Sequence, residues 1–381
     1  MSKHGKIIAL LLLGSLVIIS CSQKADVIRI GEYGSLTGTT ATFGISTKNG
    51  IDMALEKINQ AGGLLGKKVV VIVEDDQGKP EEAAMAVKKL INQDKVIAIL
   101  GEVASSRSKA GAPICQQAKI PMISPASTDP SVTEIGDYIF RICFIDPFQG
   151  TVMAKFCWNT LKVKTAAILT DVKNDYSVGL ADFFKRTFEE LGGKIVTEES
   201  YTEGDIDFKA QLTAVKAKKP ETIFIPGYYT EVGLIARQAR ELGIKIPLTG
   251  GDGWDSPRLI EIAGQALENC YFSNHYHPED PNPLIQNFVQ EYQAKYNETP
   301  DAMAVLGYDV AMVLFEAIKR AGAPDPLKIR DEIAATKDFE GVSGKITIDA
   351  QRNANKSAVV IKIEGGRLKF VETVPPDPSV T

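Results

Sequence analysis

Short apolar runs alternate with amphipathic helical segments along most of this chain, and this alternation constrains the fold more than any other feature. Runs such as VIRIGEY and KVVVIVEDD are followed by segments with a helical repeat. In the first helical segment, expected from Ser46, the residues Ile51, Ala54, Leu55 and Ile58 form one stripe. The runs lack the polar alternation of half-exposed strands, which indicates burial on both sheet faces. The pattern predicts α/β layers built on mostly parallel sheets.

The same alternation restarts after the segment YIFRICFIDPFQG and continues through further strand and helix segments. With 381 residues, the chain is long enough for about two domains. It therefore predicts two α/β lobes of similar build. The end of the chain, residues 374–381, is rich in proline and is expected to be a loose tail.

The first residues have the features of an export signal. Lys3 and Lys6 precede the apolar run IIALLLLGSLVII, which is shorter than the roughly 20 residues of a membrane-spanning helix. Residues 1–20 are therefore predicted to be a signal peptide. The ending IISC resembles the bacterial lipobox, which implies that Cys21 carries a lipid and that residues 21–26 form a tether.

Charge and cysteine content narrow the possible partners. The formal net charge is -5 and no long basic stretch is present, which argues against a nucleic-acid partner. Exported proteins can form disulfides, but the remaining cysteines have no CxxC spacing, and free thiols are favoured. These cysteines are Cys115, Cys143, Cys157 and Cys270.

A catalytic interpretation finds little support in the sequence. Beyond the leader the only histidines are His275 and His277, in NHYHPED, where a solvated loop is favoured over a metal site because no third ligand has a matching spacing. No G-x-S-x-G, G-x-G-x-x-G or P-loop motif is present. Asp75 and Asp76 are neighbours in a predicted strand and face opposite ways. We therefore expect no enzyme activity, no cofactor and no metal.

A binding interpretation fits better, because polar and aromatic residues follow the predicted strand ends. Ligands of open α/β sheets bind at the carboxyl ends of the strands. Ser105 opens a predicted helix, where it could be an N-cap or could face a ligand carboxylate. Asp252, in GGDGW, offers a countercharge for an ammonium group. Phe43 and Trp254 could line a site or belong to the core.

Several segments together resemble the periplasmic branched-chain amino-acid-binding proteins. The segments are GSLTGTTATFG, GEVASSRS, PMISPAST, GYYTEVGLIARQARELG, GGDGW and VLGYDVAMVL, and they occur in the family's order over about residues 27–370. The resemblance implies the type I two-lobed fold, in which the lobes close on a ligand and are joined by three crossovers, here near residues 145, 275 and 355. The implied lobes are 27–145 plus 276–354, and 146–275 plus 355–373.

The resemblance also implies the ligand-binding residues. A carboxylate would be held by Ser105, Ala126 and Thr128, which also help with the ammonium. Ser105 is expected to cap its helix as well as to receive the carboxylate. The ammonium would face Asp252, where the family usually has an acid one methylene longer. The aromatic residues of the site would be Phe43, Tyr176 and Tyr228.

This sequence departs from the family's pattern in two respects. Phe43 lacks the hydroxyl that relatives often have at this position. Met303 only partly matches the family's residue at another apolar wall of the pocket. Gly78 and Ala104 stand where some relatives have a disulfide. The size of the pocket, and with it the ligand, is therefore left open.

The expected function is that of an exported, lipid-anchored, monomeric solute-binding protein. It would capture an amino acid, with branched-chain amino acids favoured, and deliver it to an ABC importer. A sensory receptor of the same fold and a binder of a related small carboxylate or amide are the alternatives. An exported hydrolase is the third possibility and has no motif to support it.

Overall fold

The computed structural model describes residues 27–377. The predicted signal peptide, the tether with Cys21, and residues 378–381 of the predicted tail lie outside the described residues. Within the described part, two large sheets flanked by helices confirm the predicted α/β architecture.

The first sheet consists of five parallel strands, β1 to β5, in the order β2-β1-β3-β4-β5. Strands β1, β3, β4 and β5 are almost entirely buried, as expected for parallel strands covered by helices, whereas the edge strand β2 is mostly half-buried. Its strands are β1 (Ile28–Gly34), β2 (Val69–Asp75), β3 (Ile99–Leu100), β4 (Met122–Ser124) and β5 (Ile139–Arg141). Its first helices are α1 (Ala41–Gln60), α2 (Pro80–Asn92), α3 (Ser105–Ala118) and α4 (Ser131–Glu134).

A second unit of alternating elements follows. It comprises α5 (Asp146–Asn159), β6 (Thr165–Asp171), α6 (Asp175–Glu190), β7 (Lys194–Tyr201), α7 (Lys209–Lys218), β8 (Thr222–Ile225), α8 (Tyr229–Glu241), β9 (Leu248–Gly250), α9 (Pro257–Ala263) and β10 (Cys270–Asn274). The chain then forms α10 (Pro283–Tyr296), α11 (Ala302–Ala321), α12 (Pro326–Ala334) and a small antiparallel sheet of β11 (Phe339–Gly341), β12 (Gly344–Ile348) and β13 (Ala354–Asn355).

The last two strands, β14 (Ala358–Glu364) and β15 (Arg367–Val374), join the second sheet and make it mixed. Its order is β15-β14-β10-β9-β8-β6-β7; the β10–β14 and β14–β15 pairs are antiparallel, and the other pairs are parallel. The chain therefore passes between the two sheets after β5, after β10 and before β14. Strand β15 ends at Val374. The loose tail was predicted for residues 374–381, so its predicted start lies one residue inside the strand.

Helix α1 starts before the position predicted from the apolar repeat. It begins at Ala41 rather than Ser46, so Phe43 lies in its first turn. Helix α1 packs against α11 so closely that their backbones touch. A Cβ on Gly50 would lie 1.9 Å from the carbonyl oxygen of Ala304, and one on Gly307 would lie 2.2 Å from that of Thr47. Glycine is therefore required at both positions.

The four cysteines of the described residues are all buried and unpaired, which confirms the prediction of free thiols. Burial raises the pKa of Cys143 and of Cys157 to about 12. These thiols therefore stay protonated and have the low reactivity of structural cysteines. Between residues 27 and 377, no helix combines the length and the apolar character needed to cross a membrane.

Glu32 on β1 is expected to make stability depend on pH. It is buried, and burial, with Asp52 as the next cause, raises the pKa of its carboxyl from 4.5 to about 8. The unfolded chain therefore releases this proton at lower pH than the folded protein, so stability is lost as pH rises from about 4.5 to about 8. Glu32→Gln should show a smaller fall in the free energy of unfolding between these values, measured by urea denaturation.

The control for this prediction is Glu74→Gln on the neighbouring strand β2, where the carboxylate pairs with Lys89 at the surface. That variant should keep the wild-type dependence on pH. Equal dependence on pH in all three proteins would contradict an ionisation of Glu32 that is coupled to folding.

Candidate functional site

The predicted site residues gather where the carboxyl ends of the two sheets face each other. Ser105 and Thr128 follow β3 and β4, whereas Tyr176, Tyr228 and Asp252 follow β6, β8 and β9. All five are buried, with at most 6% of their surface exposed. Ala126 and Phe43, the other predicted site residues, are also buried. The arrangement is that of a closed cleft.

Ser105 does not cap its helix, contrary to the prediction. The N-cap position of α3 is Ala104, and no side chain caps this helix. The Ser105 hydroxyl instead accepts a hydrogen bond from the backbone N–H of Asp129 at 3.2 Å. Ser105 is therefore tied to the loop that carries Thr128, so the two predicted carboxylate-binding residues lie side by side.

The SPAST loop is held by Ser127, which the sequence did not single out. Its hydroxyl lies 3.0 Å from the carbonyl oxygens of Glu102 and Val103 and 2.7 Å from Oγ of Ser108. Buried Arg141 donates to the carbonyl oxygen of Ser127. These contacts fix the loop, and the buried Thr128 hydroxyl faces the carboxyl group of Asp146.

Three aromatic side chains form one wall of the cleft. The rings of Tyr176 and Tyr228 stack with centroids 5.4 Å apart and 8° between planes. Phe43, from the opposite lobe, meets Tyr228 edge-on at 5.4 Å and Tyr229 at 4.9 Å. Trp254 does not reach this wall, because its indole donates to the carbonyl oxygen of Ile225 inside the second lobe. It is a core residue.

Asp252 lies at the base of the cleft, where hydrogen bonds hold both its backbone and its side chain. Its backbone N–H donates to Oε1 of Gln149 at 2.7 Å, and its Oδ2 lies 2.9 Å from Nε2 of His275. Its Oδ1 is buried with no hydrogen-bond partner. The glycines of GGDGW permit this approach, since a Cβ on Gly251 would lie 2.5 Å from the Tyr176 hydroxyl.

The prediction that His275 and His277 belong to a solvated loop is wrong. They are only 3% and 4% exposed. The ring of His275 stacks on Phe144 at 3.9 Å with 17° between planes, and it contacts Asp252. Sequence reasoning missed this because the loop's polar composition, NHYHPED, is typical of an exposed segment. The described residues contain no group of three or more metal-ligating side chains.

Asp146 lies beside the predicted site residues, although the sequence prediction omitted it. Its backbone N–H donates to the carbonyl oxygen of Thr128 at 2.9 Å, and Gln149 donates to its Oδ1 at 3.3 Å. Burial raises the pKa of this carboxyl well above its usual value, and a hydrogen bond with the Thr128 hydroxyl opposes the shift. The sequence signal that could have identified Asp146 is an acidic residue directly after a predicted strand, in FIDPFQG.

The contacts therefore bring together the Thr128 hydroxyl, the Asp146 carboxyl group and the carboxylate of Asp252. Among them, Oδ1 of Asp252 is the buried oxygen that lacks a hydrogen-bond partner within the described residues. Buried polar groups are nearly always hydrogen-bonded, so the free Oδ1 of Asp252 is a position that suits a hydrogen-bond donor from a ligand. Oxygen acceptors of this kind suit an ammonium group.

Beside the aromatic wall, the cleft opens into a cavity of about 570 Å³ between the lobes. Buried Arg107 lines it, with Nε 3.2 Å from Oε1 of Glu102 and Nη1 donating to the carbonyl oxygen of Gly78. The Ser35 hydroxyl lies within 3.0 Å of Asp76 and of Glu102. Burial, with the charge of Glu102 as the next cause, raises the pKa of Asp76 to about 7.

Polar contacts close the rim of the cleft. The Thr39 hydroxyl donates to Glu203 at 2.7 Å, and the Thr230 hydroxyl donates to the carbonyl oxygen of Thr39 at 2.7 Å. In addition, the backbone N–H of Asp175 donates to the Ser106 hydroxyl at 3.0 Å. Both lobes thus contribute to each contact.

Residues 27–367 match the family described as Periplasmic binding protein. Among solved structures, the chain is similar to the leucine binding protein LivK from Thermotoga maritima. The two share 44% sequence identity with a TM-score of 0.88, covering 92% of this chain and 99% of that one.

Two other solved structures are similar over the whole fold and hold ligands of different chemistry. One is the branched-chain amino acid transporter substrate binding protein LivJ from Streptococcus pneumoniae in complex with isoleucine. It is 35% identical, with a TM-score of 0.88, and the match covers 92% of this chain and all of that one. The other is a solute binding protein of an ABC transporter from Rhodopseudomonas palustris in complex with 3,4-dihydroxy benzoic acid. It is 28% identical, with a TM-score of 0.85, covering 93% and 100% of the chains.

Proposed function

Because the chain belongs to the periplasmic binding protein family, we propose that it captures an aliphatic amino acid and delivers it to an ABC importer. The observation that carries this proposal is the buried Oδ1 of Asp252, which has no partner in the closed cleft. A buried carboxylate oxygen without a partner is costly, and a ligand ammonium would supply both the countercharge and the hydrogen bond. The similar leucine binding protein and the similar protein in complex with isoleucine support this ligand class.

The mechanism we propose is binding followed by lobe closure, without covalent chemistry. Ser105 and Thr128 would receive the ligand carboxylate, and Asp252 the ammonium. Phe43 and Tyr228 would cover the aliphatic side chain. We propose the lobes as 27–145 with 276–354, and 146–275 with 355–373, moving about the three connections between the sheets.

A small aromatic carboxylate is the second candidate ligand. The stacked rings of Tyr176 and Tyr228 offer a face to an aromatic ring, and a relative is described in complex with a dihydroxybenzoic acid. Such a ligand lacks an ammonium and would leave Oδ1 of Asp252 without a partner. The two candidates therefore differ in the group that faces Asp252.

The ligand class is tested by thermal unfolding and calorimetry with leucine, isoleucine, valine and benzoate. An amino acid at about 100 times its dissociation constant should add about 2.7 kcal/mol to the free energy of unfolding. Isocaproate, which is leucine without its ammonium, is the matched control and should bind far more weakly. Stabilisation by benzoate and isocaproate but by no amino acid would reject the amino-acid proposal.

We also propose that the protein is exported and held at the membrane by an acylated Cys21, which lies outside the described residues. The support is the lipobox-like IISC behind a short apolar run. Cys21→Ser should release the protein into the soluble fraction, and mass spectrometry of the wild type should find an acylated N-terminal cysteine. Equal membrane retention of the variant would contradict the anchor.

A further inference from the structure

His275 contacts Asp252, the predicted partner of the ligand ammonium, and the ring of His275 is itself held in place. Its Nε2 lies 2.9 Å from Oδ2 of Asp252, and its ring is fully buried against Phe144. Within the described residues, Asp252 is the hydrogen-bond partner of this ring at Nε2, and Nδ1 has none. The imidazole is therefore held by packing on one side and by the carboxylate on the other.

The protonation of the ring follows from these contacts. Burial lowers the pKa of His275, so the imidazole is neutral near pH 7. A neutral imidazole has one N–H, and placing it on Nε2 gives that proton an acceptor in Asp252. The other tautomer would bury an N–H on Nδ1 without a partner and would set two lone pairs against each other. The ring is therefore a donor to Oδ2.

This donor divides the carboxylate of Asp252 into two oxygens with different roles. Oδ2 is occupied by His275, whereas Oδ1 is free. The backbone of Asp252 is held by Gln149, whose Oε1 also accepts a hydrogen bond from Ser273 at 2.8 Å. With its main chain and one oxygen fixed, the aspartate presents only Oδ1 to the cleft.

We propose that His275 is a positioning residue that sets the preference for ligands carrying an ammonium, by orienting Asp252 so that Oδ1 faces that group. This inference rests on the proposed function and names the residue behind its specificity. A carboxylate without this donor could rotate about its terminal torsion, which is broad and soft for aspartate. It would then lose the preorganised geometry on which selective binding depends.

The test compares His275→Leu with His275→Gln in the full-length protein, using calorimetry with leucine and with isocaproate. Leucine at position 275 fills the space but donates no hydrogen bond. It should weaken leucine binding about ten-fold or more, the effect of losing one hydrogen bond to a charged group. Binding of isocaproate should change far less. Glutamine can place an amide N–H near the position of Nε2 and should restore most of the affinity for leucine.

His277→Leu is the matched control, because His277 is also buried but its Nε2 faces the carbonyl oxygen of Leu368 rather than Asp252. It should leave the ratio of leucine to isocaproate affinity unchanged. In an Asp252→Asn background, His275→Leu should alter that ratio no further, because the two residues act as a unit.

The outcomes separate this inference from the proposed function. If the wild type binds no amino acid, the proposed function fails. If the wild type binds leucine and His275→Leu keeps the same affinity ratio, the positioning role fails while the function stands. An equal loss of affinity for leucine and for isocaproate in His275→Leu would also overturn the positioning role, because it would indicate general damage to the cleft. Failure of His275→Gln to restore leucine affinity would overturn it for the same reason.

Discussion

Replacing Asp252 by asparagine should weaken leucine binding by about a hundred-fold or more. Removal of one partner of a buried charge pair typically costs about 3–5 kcal/mol, and each 1.4 kcal/mol is about a ten-fold change in affinity. Asparagine keeps a carbonyl oxygen that can accept from His275, so the local structure should persist. The ligand ammonium, however, would lose its countercharge in a site where Asp252 is only 3% exposed.

Calorimetry on both proteins with leucine and with isocaproate measures this coupling. Isocaproate carries no ammonium and should bind the variant about as weakly as it binds the wild type. The difference between the two ligands is then the interaction of Asp252 with the ammonium. If both ligands lose the same affinity, Asp252 only shapes its turn, and the natural ligand need not be an amino acid.

Replacing Gly50 by alanine should destabilise the whole protein. A Cβ at this position would lie 1.9 Å from the Ala304 carbonyl oxygen and 2.7 Å from the Tyr308 backbone nitrogen, both on α11. Because these are backbone atoms, two helices would have to move apart. Overpacking of this kind costs about 1–3 kcal/mol, and more where backbone must shift. Urea denaturation should show a lower midpoint.

Gly179→Ala in α6 is the control, since its added Cβ would meet only the Asp146 carboxylate, at 3.7 Å. Alanine is the better helix former, so this variant should be as stable as the wild type or slightly more stable. A Gly50→Ala protein with wild-type stability would mean that the two helices pack less tightly than the distances indicate.

The sequence predicted the α/β layers because burial of parallel strands is visible in local composition. Helix starts were harder to predict from the same pattern. The segment TTATFG before Ser46 contains several threonines, whose branched side chains lower helix propensity, yet α1 begins at Ala41. Packing of Phe43 against Tyr228 and Tyr229 of the other lobe accompanies this first turn. Such tertiary contacts override local propensity.

The errors at the site have the same origin. A serine at a helix start is locally a good N-cap, but Ser105 is engaged by Asp129, which only the fold brings near. His275 lies in a segment of polar composition, and its pairing with Asp252 depends on two loops meeting beneath the cleft. The positions of Ser105, Thr128, Tyr176, Tyr228 and Asp252 after strand ends were predictable, because parallel strands share one ligand-binding edge.

The contacts at the rim have a consequence for the kinetics of exchange. Thr39 touches Glu203 and Thr230 across the closed cleft, and none of the three is a proposed ligand contact. These hydrogen bonds form only after the lobes meet, so they do not affect the rate at which a ligand finds the open cleft. Under the proposed function, they would lengthen the time for which a captured ligand stays enclosed. Residence time would then be tuned at the rim, independently of the ligand choice that we propose for Asp252 deeper in the cleft.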